Sequence, residues 1–338
     1  MNHIFKRPLS AFQSSAIFAV IAFAIGIMLT FMLAGCSGSN QQQESTDQSN
    51  DQQKVKVVAS FYPMYDFAQK IGGDRVEVTN LVPAGTEPHD WEPSTADMQT
   101  IEGADVLVYN GAGMEHWVDD TLASLQNDKL VSCEASKGIS LLNAAEEEHA
   151  HADENHADEA DHDHGQYDPH VWLAPENAKQ EMRNIADTLE QVDPDGRDTY
   201  EANYNKYADE LDQLDKQFSD ELSKVPNKNV VVSHQAFAYL CNAYGLTQMP
   251  ISGVEADTEP DAKTMAEITD FVKQNNVKVI FSEDLVSPKV AQSIADATGA
   301  QCEVLNPLEG LTDEQLSAGD DYFSVMKSNL DELVKALS

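Results

Sequence analysis

NVVVSHQAF, residues 229–237, sets three valines in a row and ends them on Ser233 and His234. Apolar side chains at consecutive positions suit a strand covered on both faces, as in a parallel sheet flanked by helices. Five further runs share this texture: VKVVASF (55–61), VEVTNLV (76–82), ADVLVYN (104–110), VKVIFSE (277–283) and QCEVLNPL (301–308). Longer segments with helical periodicity lie between them, so the class is α/β with mainly parallel sheets and flanking helices.

Between the first three runs and the last three, two helical patterns cover 175–192 and 198–225, split by Asp193-Pro194-Asp195-Gly196. The second carries Tyr200, Tyr204, Tyr207, Leu211, Leu214 and Phe218 at helical spacing. That stripe reads as core packing, and a helix of this length, about 40 Å, is a stiff rod able to join two lobes. The residues from Lys54 onward are too many for one ordinary core and suit two.

The amino-terminal residues read as targeting. Lys6 and Arg7 precede an apolar run from Ala16 to Leu33, which ends in Leu33-Ala34-Gly35-Cys36. A charged start, an apolar stretch and small residues before the break are the pattern of a secretory signal. Leu-Ala-Gly-Cys resembles the bacterial lipobox, which implies lipidation at Cys36, a bilayer anchor and an extracytoplasmic location. Residues 1–35 are expected to be the signal peptide. Residues 36–54, polar and without a large apolar side chain, are expected to be a flexible tether. The remaining expected boundaries are a first lobe at 55–195, a linking helix at 196–226 and a second lobe at 227–338. With Cys36 lipidated, Cys133, Cys241 and Cys302 remain, and their pairing is left open.

The formal net charge is −37. A surface this acidic repels nucleic-acid phosphates and attracts cations. Candidate cation ligands follow from where ligands sit in open α/β sheets, beyond the carboxyl ends of the strands. His89, His234 and Glu283 fall at or soon after such ends, and His170 precedes the helix that opens at Pro175. Taken singly, each histidine has an ordinary reading as a hydrogen-bonded residue. Glu87 and Glu92 flank His89, while Asp284 or a water competes with Glu283 for a fourth position. Three imidazoles and one carboxylate can close a tetrahedron around zinc.

Four motifs carry a family resemblance: PAGTEPHDWEPS (83–94), DPHVWLAPENA (168–178), VVSHQAFAYLCNAYGL (231–246) and FSEDLVSPKVAQSIADATGAQCEVLNPLEGL (281–311). They resemble the zinc-binding lipoproteins of ABC importers over nearly the whole chain from Val55. The resemblance implies two α/β lobes joined by one long rigid helix, with the metal in the cleft between them. It implies ligands His89 and His170 from the first lobe, and His234 and Glu283 from the second. It further implies a monomeric, non-enzymatic receptor that captures Zn²⁺ and passes it to a membrane permease driven by an ATPase. Manganese-type relatives carry a carboxylate in place of His234 and another near the end of the chain, and the imidazole at 234 favours zinc. A manganese carrier and a surface adhesin or metal buffer are the competing readings. A zinc hydrolase is disfavoured, because four protein ligands leave no place for a reactive water and no HExxH helix occurs.

Zinc-type relatives similarly carry an acidic, histidine-rich insertion before the second ligand. Here it spans 146–164, with nine acids and His149, His151, His156, His162 and His164. Such a run offers weak, exchangeable metal sites, which makes it an auxiliary zinc collector in this reading and a solvated loop in the plainer one.

Overall fold

The computed structural model describes residues 54–144, 167–254, 256 and 260–338. The expected signal peptide, Cys36, the tether and the five histidines of the 146–164 run lie outside the described residues.

Two four-stranded parallel sheets organise the chain. The first comprises β1 (Val55–Ala59), β2 (Val76–Asn80), β3 (Val106–Tyr109) and β4 (Val131–Glu134), in the order β2-β1-β3-β4. The second comprises β5 (Asn229–Val232), β6 (Thr247–Pro250), β7 (Val279–Ser282) and β8 (Gln301–Val304), in the order β6-β5-β7-β8. Each sheet therefore has a central strand, β1 or β5, from which the chain winds out to both sides. Crevices that take ligands open at that point.

The helices are α1 (Tyr62–Gly72), α2 (Thr95–Glu102), α3 (Val118–Ser124), α4 (Pro175–Val192) and α5 (Arg197–Leu222). In the second half they are α6 (Ala238–Tyr244), α7 (Ala262–Gln274), α8 (Lys289–Thr298), α9 (Asp313–Ala318) and α10 (Tyr322–Leu337). The linking helix α5 stops at Leu222, four residues short of the expected 226. Pro226 keeps Val225 out of helical backbone, so the helix cannot run on to 226. At the other end Asp193 fixes the break from α4. It accepts from Arg75 Nε and Nη2, each at 2.8 Å, and from the Tyr200 hydroxyl at 2.7 Å. A Cβ on Gly196 would lie 2.4 Å from Arg75 Nε, so this crossing needs glycine.

Alternate residues of the central strands face two different cores. Val57 and Ala59 of β1, with Val230 and Val232 of β5, belong to one continuous apolar cluster that includes Phe67, Trp172, Ile185, Tyr200, Leu211, Phe218 and Tyr322. Their neighbours face outward into separate clusters. Val58 packs with Leu81, Ile101 and Leu107, and Val231 packs with Ile268, Val272, Ile280 and Ile294. Tyr204 and Tyr207 of the aromatic stripe on α5 lean on the shared core while partly exposed.

The end of the chain closes the arrangement. Tyr322 packs edge-on to Phe67 at 5.0 Å and donates from its hydroxyl to Trp172 O at 2.7 Å, while Lys70 Nζ meets Asp321 at 2.8 Å. Swinging the sheets apart as rigid bodies would expose this shared core to water, at roughly 1.5–3 kcal/mol for each large apolar side chain fully exposed. The packing restricts the cleft to loop movements and small shear.

Candidate metal centre

His234 lies two residues past β5, the central strand of the second sheet. Its backbone N–H donates to Glu283 Oε1 at 3.2 Å, and its ring Nδ1 lies 2.8 Å from both Glu283 oxygens. Glu283 follows directly on β7, the strand beside β5. The neighbouring strand thus supplies the carboxylate that orients the ring, leaving Nε2 to point into the cleft.

His170 is held by its own loop and by groups from both lobes. Asp168 Oδ1 accepts from the His170 backbone N–H at 2.9 Å and lies 2.8 Å from its Nδ1. Asn110, just past β3, donates from Nδ2 to Pro169 O at 2.9 Å. The Tyr239 hydroxyl of α6 donates to Asp168 O at 2.8 Å and accepts from Leu142 N at 3.0 Å. Asn143 and Tyr167 pair as an isolated antiparallel bridge, with Tyr167 three residues before His170.

His89 sits on the loop after β2, and its backbone N–H donates to Glu87 Oε1 and Oε2, each at 3.1 Å. Its ring Nε2 faces the other two histidines.

The fourth donor is Glu309, five residues past β8. It lies beside Leu308, whose φ of 60° is left-handed for a large side chain, a strain on the order of 1–3 kcal/mol that the surroundings must hold in place. Trp172 Nε1 donates to Pro307 O at 2.8 Å, and Gly85 N donates to Leu311 O at 3.0 Å, so the first lobe braces this loop on both sides of Glu309.

The four groups converge. Glu309 Oε1 lies 3.2 Å from His89 Nε2, 2.9 Å from His170 Nε2 and 3.1 Å from His234 Nε2. His170 Nε2 is 3.2 Å from His89 Nε2 and 3.3 Å from His234 Nε2. Zinc bonds of 2.0–2.1 Å in a tetrahedron require donor–donor edges of about 3.3 Å, so the spacing fits a four-coordinate ion. His170 and His234 are 0% exposed, Glu309 1% and His89 8%, which makes His89 the donor nearest to solvent. Among the described residues this is the one group of His, Cys, Asp and Glu arranged to hold a metal.

The structure brings Glu309, and not the expected Glu283, to the three Nε2 atoms; Glu283 stands behind His234 on Nδ1. Asp284 is turned away and accepts from Asn306 Nδ2 at 2.8 Å and Gln315 Nε2 at 2.9 Å. A carboxylate near the chain end is thus present, as in the manganese-type pattern, and the departure from that pattern rests on the imidazole at 234. Sequence reasoning passed over Glu309 although its motif, LNPLEGL, was among those quoted. The available signal was positional: it is an acid in the loop past β8, the same kind of site as His234 and Glu283.

Burial alone would lower the pKa of His234, but the charges of Glu283 and Glu309 outweigh it and hold the ring well above the usual histidine value. His170 is likewise raised, with Asp168 overcoming the effect of burial. Burial would raise the Glu309 carboxyl, yet the positive charge on His234 and hydrogen bonds from all three rings hold it well below the carboxylate range. Carboxylates on Nδ1 of His170 and His234 place those ring protons outward and make the Nε2 lone pairs better metal donors. A divalent ion here meets one inner carboxylate and two outer ones, Asp168 and Glu283.

Cys133, Cys241 and Cys302 take no part in the centre; burial pushes the Cys133 thiol up to about 11.

These features define a class: a two-lobed α/β protein that encloses a single cation between parallel sheets using only its own side chains. The family model described as zinc-uptake complex component A, periplasmic, matches residues 57–336, and the chain belongs to that family. The high-affinity zinc uptake system protein ZnuA of Bacillus subtilis strain 168 is 41% identical over 316 residues, covering 92% of this chain and 96% of that protein. The zinc-binding lipoprotein AdcA of Streptococcus pneumoniae R6 is 38% identical over 93% of this chain, which spans 60% of that longer protein. Among solved structures, the Zn(II)-bound ZnuA-like domain of Streptococcus pneumoniae AdcA has a TM-score of 0.71 and 37% identity, covering 84% of this chain and 99% of that one. The laminin-binding protein Lmb of Streptococcus agalactiae, described as bifunctional with adhesin and metal transporting activity, has a TM-score of 0.73 and 34% identity, covering 85% of this chain and 100% of that one.

Proposed function

We propose that this protein captures Zn²⁺ outside the cytoplasm and hands it to an ABC permease and its ATPase, with His89, His170, His234 and Glu309 as the ligands. The observation that carries the reading is the buried convergence of three Nε2 atoms on Glu309 Oε1 at 2.9–3.2 Å. Three nitrogen donors and one oxygen favour zinc over manganese, which prefers a harder oxygen set. Four protein donors leave no position for a reactive water, as suits a carrier and not a hydrolase. The zinc is cargo, and its release requires displacing donors that the shared core keeps together.

The chain acts as a monomer tethered to the bilayer through a lipidated Cys36. The 146–164 run, which the Asn143–Tyr167 bridge brackets ahead of His170, gathers zinc at weak sites. Its acids and histidines raise the local concentration of the ion without supplying a ligand to the main site.

The test is competitive titration of the chain from Lys54 onward with zinc and manganese. One tight zinc equivalent, with manganese far weaker, supports the reading. Equal affinity for the two metals contradicts it. A second reading, surface adhesion, is favoured by the likeness to Lmb. Binding of immobilised laminin by the zinc-loaded protein tests it.

A further inference from the structure

Glu283 has a counterpart for Glu309, and it is the next residue. Asp284 accepts from Asn306 Nδ2 at 2.8 Å, and Asn306 Oδ1 in turn accepts from the Leu308 backbone N–H at 2.7 Å. The backbone of Asn306 is clasped by Asn329 of α10, which donates to Asn306 O at 2.7 Å and accepts from Asn306 N at 3.0 Å. Asn306 and Asn329 are buried, and Leu308, the residue held left-handed, is fully so. A left-handed leucine persists only where its surroundings enforce it. The contact best placed to do so is the Asn306 carboxamide, which captures the Leu308 N–H and so sets the direction in which the next residue leaves.

From this geometry we infer that Asn306 is the positioning residue for Glu309. Its carboxamide locks Leu308 left-handed, and Asp284 and Asn329 lock Asn306. The adjacent acids at the end of β7 thereby orient both donors of the second lobe, Glu283 acting on His234 and Asp284 acting on Glu309 through Asn306. Asp284 is exposed and lines, with Asn306 and Gln315, an acidic cavity of about 300 Å³. The outermost support of the buried carboxylate is therefore reachable from solvent. The inference rests on the proposed role of Glu309 as a ligand.

A mutant cycle on the full chain tests it. Asn306→Asp keeps the acceptor for Leu308 N–H but sets two carboxylates against each other at Asp284. Zinc affinity should fall about 10–100-fold, the range controlled by partners that orient ligands. Combining Asn306→Asp with Asp284→Asn restores a donor–acceptor pair of reversed polarity and should recover most of the loss. In a Glu309→Ala background Asn306→Asp should have little further effect, because two residues acting through one contact are not additive. The visible spectrum of the Co²⁺-loaded protein should lose tetrahedral intensity in Asn306→Asp and regain it in the swap. If Asn306→Asp does not fold, as judged by circular dichroism, Asp284→Ala takes its place in the same cycle. Full additivity with Glu309→Ala, or an unchanged affinity and spectrum, overturns the inference. Unchanged zinc binding in Glu309→Ala overturns the ligand assignment itself.

Discussion

The two lobes hold their donors by different means. In the first, an acid two residues upstream does the work: Glu87-Pro88-His89 and Asp168-Pro169-His170 are both acid-proline-histidine, and in both the acid accepts from the histidine N–H. In the second, the orienting groups come from other strands, Glu283 lying 49 residues from His234 and Asp284 22 residues from Asn306. The acid that orients each first-lobe histidine is thus supplied by its own loop, although Tyr239 of the second lobe also clasps Asp168 O. The acids that orient the second-lobe donors reach them only when β5, β7 and β8 keep their register.

Removing a donor should give the largest effect in either lobe. His170→Ala and His234→Ala are each expected to weaken zinc by more than about 100-fold, beyond the range governed by orienting partners. Competition against a chelator of known affinity reads this directly. If one of the two is nearly silent, the lobes do not share the ion.

The orienting acids come next, and they also set the pH dependence. Asp168→Asn and Glu283→Gln should each cost about 10–100-fold at neutral pH. Zinc competes with protons for Nε2, so affinity is full above the raised histidine pKa values and declines as pH falls through them. The decline should begin above about 6.5, the ordinary histidine value. Glu283→Gln removes the largest of the charges that raise His234, so the onset should move to lower pH in that variant. Plots of log Kd against pH for the wild type and both variants test the sign, and an onset that stays put or moves up contradicts it.

How much of this was legible in the sequence follows the same division. The central strands could be read because β1, β3, β5 and β7 are apolar at successive positions. β4 (VSCE) and β6 (TQMP) could not, because they are short edge strands, half-exposed and without an apolar run. His89, His170 and His234 stood out as histidines near strand ends or a helix start. Choosing between Glu283 and Glu309 was beyond a linear reading. Both are acids past strand ends of one sheet, and only the packing decides which meets Nδ1 of His234 and which meets Nε2.

A smaller effect concerns selectivity. His234→Glu makes the donor set harder, with two nitrogens and two carboxylates, and should narrow the ratio of zinc to manganese affinity while His234→Ala weakens both metals. An unchanged ratio would remove metal choice from the second lobe. The smallest effect is expected from deleting residues 146–164: several weak zinc equivalents disappear and one tight equivalent per chain remains, as counted by equilibrium dialysis. Loss of the tight equivalent would mean that the run supplies a principal donor.

The central claim is that the second lobe divides its acids between coordinating the ion and orienting a ligand. A crystal structure of the zinc-loaded protein, with the ion located by its anomalous scattering, tests this most directly. The account predicts zinc at about 2.0–2.2 Å from Nε2 of His89, His170 and His234 and from a Glu309 oxygen, with Glu283 still on His234 Nδ1. An oxygen of Glu283 or a water in the position assigned to Glu309 would contradict it.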